Sequence, residues 1–130
     1  NPLAVQTAFH NARLNGMSDA ILAVQGCAEN FIDTPADLLI ANIHYEIMEQ
    51  LIESEGFSRI PRFILSGLLR SEARNAAEKI FRREAAILRS WESDGIWHTL
   101  YGCHGKPTQI ELRPAPASSA SPLPVMRHPR

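Results

Sequence analysis

Only two cysteines occur in 130 residues, at positions 27 and 103, and neither belongs to a C-x-x-C pair. A disulfide framework and a zinc site both lose support, no metal ligands are assigned, and a reduced cytoplasmic protein fits best. No apolar run approaches the roughly 20 residues of a membrane span, and no charged-then-apolar leader opens the chain. A surplus of charge is missing too, since 13 basic against 14 acidic side chains leave a net charge of -1. Within that balance Arg59, Arg62, Arg70, Arg74, Lys79, Arg82, Arg83 and Arg89 crowd one segment, yet no aromatic residues interleave with them. A solvated helix face with flanking loops accounts for the crowding, so direct nucleic-acid binding is not expected. There is also no initiator Met, and Asn1 runs at once into helix-like sequence, which suggests a chain that begins in the middle of something.

What is present has the composition of one ordinary globular domain. Asn1-Pro2 reads as an N-cap followed by proline at the first helical position, where its missing N–H costs nothing. Val5, Ala8, Phe9 and Ala12 then mark one helical face, and Asn15-Gly16 supplies a stop. Ala20 to Val24 is a short apolar run ended by Gly26, a plausible strand. A second helix is expected from about Tyr45 to Glu55, burying Ile47, Met48, Leu51 and Ile52 and stopping at Gly56. A strand from Arg62 to Gly67 and a third helix from about Ser71 to Arg83 follow. The alternation argues for crossover units on a parallel sheet. The ending differs: Ala85 to Trp91 and Ile96 to Cys103 flank Glu92-Ser93-Asp94-Gly95, and Asp-Gly at the tip signals an antiparallel hairpin. From Gly105 the composition turns to Pro, Ala and Ser, so residues 105–130 are read as a disordered tail on a domain of residues 1–104.

The stretch Ala36-Asp37-Leu38-Leu39-Ile40-Ala41-Asn42-Ile43 carries the chemistry. A parallel strand covered on both faces reads as a nearly unbroken apolar run, and ligands of open α/β sheets collect beyond the carboxyl ends of such strands. Asn42 stands at such an end, as a ligand contact or as a cap for the helix near Tyr45. His44 and Tyr45 are close enough to line the same cleft, or to start and pack that helix. Gly26-Cys27-Ala28-Glu29-Asn30 is a loop of small residues that would let a flat ring approach the backbone, or an ordinary surface turn. Ser66-Gly67 lacks the first glycine of a nucleophile elbow, because position 64 is Ile. Cys103-His104 has no partner ligands at metal-site spacing. Trp91 and Trp97 are read as core or cross-strand packing.

Four segments in order resemble one family: Asn1 to Val5 with Asn11 to Gly16, then Ala36 to Ile43, then Ile64-Leu65-Ser66-Gly67-Leu68, then Asp94-Gly95-Ile96-Trp97. The chain is similar to the ribosomal-protein lysine methyltransferases, which modify a large-subunit stalk-base protein with S-adenosylmethionine. The resemblance implies an α/β, Rossmann-like methyltransferase sheet with parallel strands, crossover helices and a C-terminal antiparallel hairpin. It also implies a ribosomal protein substrate. Asn42 matches the family's strand-four asparagine beside the methionine end of the cofactor, and so becomes the catalytic candidate. Gly26, Cys27 and Ala28 match the loop that passes the adenine. The family's first strand, glycine-rich turn and ribose-binding acid have no counterpart here. The chain is thus either part of a lysine methyltransferase or a silent methyltransferase-like domain serving as an interaction module.

In the family's strand order, three-two-one-four-five-seven-six, Ala20 to Val24 would be strand three and Asp37 to Ile43 strand four. At about 4.8 Å per spacing, two absent strands leave roughly 14 Å that no hydrogen bond spans. Two raw edges, a closed gap, or strands borrowed from another polypeptide are the outcomes, and raw edges invite self-association.

Overall fold

The computed structural model describes residues 1–106. The tail read from composition lies outside the described residues, except for Gly105 and Lys106. Helix α1 spans Pro2–Leu14, and the Asn1 side chain accepts from the Leu3 N–H at 3.0 Å, as the Asn-Pro start implies. Only Ala12 of its expected apolar face is buried, whereas Leu3, Phe9 and Leu14 are exposed. The segment from Ala20 to Val24 is not a strand, which corrects the expectation. A strand exists through its neighbour's hydrogen bonds, and no described strand lies beside these residues. Residues 28–30 form one 3-10 turn.

The remainder builds a four-stranded sheet: β1 (Leu38–Asn42), β2 (Arg62–Leu68), β3 (Ala85–Ser93) and β4 (Trp97–His104), in the order β1-β2-β4-β3. Strand β1 runs parallel to β2, and β4 runs antiparallel to both its neighbours. This is the four-five-seven-six half of the expected order. Strand β1 is the edge. Of the outcomes foreseen for the gap, one raw edge is found in place of two, because the strand that would supply the second does not form. The edge position also corrects the reading of β1 as buried on both faces, since Ile40 is 66% exposed.

Three helices cover the other face. Met48, Leu51 and Ile52 from α2 (Tyr45–Glu53), Phe57 from α3 (Glu55–Arg59), and Ala73, Ala76 and Ile80 from α4 (Arg70–Arg82) form one cluster with Ala41, Phe63, Leu65 and Leu100 of the sheet. The expected single helix to Glu55 is broken earlier. Ser54 Oγ accepts from the Phe57 N–H at 3.2 Å and caps α3, a contact of about 1 kcal/mol. Gly56 therefore lies inside a helix and does not stop one. Arg83 fastens the break, donating to the Ser54 carbonyl at 2.9 Å and to Ser58 Oγ at 3.2 Å.

Within the basic segment Arg59 pairs with Asp33 at 2.5 Å, Arg70 with Glu92, Arg74 with Glu78, Arg83 with Glu55, and Lys79 lies between Glu49 and Glu53. At the hairpin tip Asp94 and Gly95 take φ of 55° and 69°, as its Asp-Gly pair requires. Trp91 and Trp97 hold cross-strand positions opposite Thr99 and Ser93, but both are about half exposed, so neither is core. Beyond Arg89 the hairpin is exposed along β3, away from the buried cluster.

Phe63 is fully buried, with its ring 4.9 Å from that of Phe57. Phe63→Ala is expected to lower stability by about 3–5 kcal/mol. A urea midpoint that barely moved would show that the sheet-to-helix core does not depend on this ring.

Candidate functional site

The parallel register places Asn42 opposite Ser66, at the carboxyl ends of β1 and β2. Helix α2 takes its N-cap from His44, with no side-chain hydrogen bond, so Asn42 does not cap it. Among the described residues the Asn42 carboxamide makes no hydrogen bond. Its Oδ1 lies over the bare Cα of Gly67, a residue at φ +74° that could not carry a Cβ there without overlapping that oxygen.

Beside this end of β1 opens a groove of about 440 Å³. Ala28, Phe31, Leu39, Ile40, Asn42 and Ile43 are among its lining residues. It brings Ala28 and Asn42 together on one surface. Gly26 and Cys27 do not line it. The space a side chain at Gly26 would take is filled by the Phe31 ring, so a flat ring does approach this glycine, and it is the chain's own. Sequence reading missed Phe31; its one available signal was an aromatic five residues after a glycine, next to a loop of small residues.

His44 and Tyr45 do not line the groove. Tyr45 turns its hydroxyl to Glu49, donating to Oε1 at 3.4 Å. Burial, and after it the Glu49 charge, hold the phenol above its ordinary range. His104 packs edge-on against Phe57 at 4.9 Å, with Nδ1 2.8 Å from the Ile60 carbonyl. Among the described residues no group of His, Cys, Asp and Glu is placed to hold a metal.

A family profile described as ribosomal protein L11 methyltransferase (PrmA) matches residues 1–104. The chain belongs to this family. A curated relative, the ribosomal protein L11 methyltransferase of Bacillus cytotoxicus, is 31% identical over 84 residues, which are 62% of this chain and 26% of the relative. The crystal structure of a ribosomal protein L11 methylase from Lactobacillus delbrueckii subsp. bulgaricus is similar at a TM-score of 0.66 and 26% identity. That match covers 78% of this chain and 52% of the solved one. The chain thus spans about a quarter of the curated relative and about half of the solved structure. No helix among the described residues is long and apolar enough to cross a membrane.

An asparagine that is exposed and makes no hydrogen bond contributes little to folding. Asn42→Ala is expected to shift stability by less than about 0.5 kcal/mol in urea denaturation. A loss well above about 1 kcal/mol would assign the residue to the fold and remove the reason for placing it in a site.

Proposed function

We propose that this chain is part of an S-adenosylmethionine-dependent lysine N-methyltransferase of a ribosomal protein, working in the cytoplasm, with residues 1–104 as the C-terminal part of its catalytic domain. The observation that carries the reading is Asn42, a carboxamide without a hydrogen bond at the carboxyl end of a parallel strand, on the same groove as Ala28. An apolar wall ending in an amide fits one side of the methyl donor. No Asp, Glu, Lys or Arg lines the groove, so the described residues offer no charged partner for the donor's ribose or amino-acid end.

In this reading Ala28 lies along the adenine, with Gly26 and Cys27 behind it in the same loop, and Asn42 borders the reacting end. The donor, when bound, supplies a methyl group activated by its sulfonium. The Asn42 side-chain carbonyl accepts one hydrogen bond from the amino group of the donor's methionine end and one from the acceptor amine, holding the amine's lone pair in line, a contribution of position with no strong base. Leu39, Ile40 and Ile43 give the groove its apolar walls. The absence of charge from the groove favours a second reading, a silent domain that binds partners through the open edge of β1.

Calorimetric titration separates the two. The methyltransferase reading expects saturable S-adenosylmethionine binding that Asn42→Ala weakens by about tenfold, the loss of one hydrogen bond. Heats that never saturate would leave the silent domain as the reading of this chain.

A further inference from the structure

We propose that Gly67 is a positioning residue for Asn42: its left-handed backbone and bare Cα form the seat that orients the Asn42 carboxamide. The inference rests on the reading of Asn42 as a site residue. Three observations meet at this point. The pairing of β2 with β4 shifts between Leu65 and Leu68, so that β2 takes three steps while β4 takes two, from Leu100 to His98. That is one extra residue, a bulge, and bulges re-aim side chains at the ends of strands. Gly67 lies inside it with φ +74°.

A Cβ on Gly67 would overlap Asn42 Oδ1 and touch Asn42 Cγ at 3.4 Å, and it would meet nothing else within 4 Å. The room left by the missing side chain is used by one group only. That group makes no hydrogen bond among the described residues, so no hydrogen-bond partner competes with Gly67 for its direction. Ser66 anchors the seat, because its Oγ lies 2.8 Å from Thr99 Oγ1 on β4, across the place where the ladder is interrupted. A glycine needed only by the bulge would face solvent or backbone; this one faces the carboxamide.

The test uses the 130-residue chain with 15N-labelled asparagine, the Asn42 side-chain amide signal being assigned by its disappearance in Asn42→Ala. Gly67→Ala is expected to move that signal. It is also expected to lower the thermal midpoint by more in the wild-type background than in Asn42→Ala, where the overlap is gone and only backbone strain remains. If Gly67→Ala fails to fold alone, refolding in the Asn42→Ala background supports the seat. An unmoved Asn42 signal, equal midpoint losses in the two backgrounds, or a double variant that also fails to fold would each overturn it. Neither readout uses the methyl donor, so a failed donor titration would refute the functional reading while leaving this result intact.

Discussion

The parallel pairing of β1 with β2 is the constraint on which the rest depends. Its register, from Leu38 opposite Arg62 to Asn42 opposite Ser66, sets the end of β1 beside the last residues of β2, two residues before Leu68. It also divides their side chains between two faces. Ala41, Phe63 and Leu65 go to the helices, while Ile40 and Asn42 go to the open side. Slipping the register by one residue would reverse these assignments and send Asn42 into a core that has no partner for an amide. The burial of Phe63 and Leu65 beneath α2, α3 and α4 therefore holds the candidate site in place at a distance.

Local signals were legible wherever both halves of an interaction lie close in sequence. The Asn1 cap reaches two residues along the chain, and the Asp94-Gly95 turn closes a hairpin on itself. The order of the sheet followed from the resemblance, and the match with the Lactobacillus structure agrees with it. Illegible features were those decided by a distant partner. Ala20 to Val24 has the composition of a strand and lacks a neighbour to pair with. Ser54 is the exception among local signals: its hydroxyl caps the Phe57 N–H three residues on, in a stretch where apolar periodicity points to one continuous helix, and Arg83, far along the chain, fastens the break by donating to its carbonyl.

The same distinction applies to the site. Asn42 stood out because an amide at the end of an apolar run is conspicuous in one dimension. Ala28 joins it across a groove, while Gly26 and Cys27 lie outside the lining. The relation of Phe31 and Gly67 to the site is set by packing and by register, which order along the chain does not show. Membership of the L11 methyltransferase family is what leads us to propose methyl transfer for this groove. The open edge of β1 and the exposed Ile40 mark where the apolar wall continues without cover from any described element.

The central claim is that Ala28 and Asn42 line one binding surface for the methyl donor. The most direct test is a titration of the chain with S-adenosylhomocysteine, following the Ala28 methyl and Asn42 side-chain amide signals by NMR. The account predicts that both move and share one saturation midpoint, while the Ala73 and Ala76 methyls on α4 stay still. Movement at α4 with Ala28 and Asn42 unmoved, or no saturable movement at all, would contradict it.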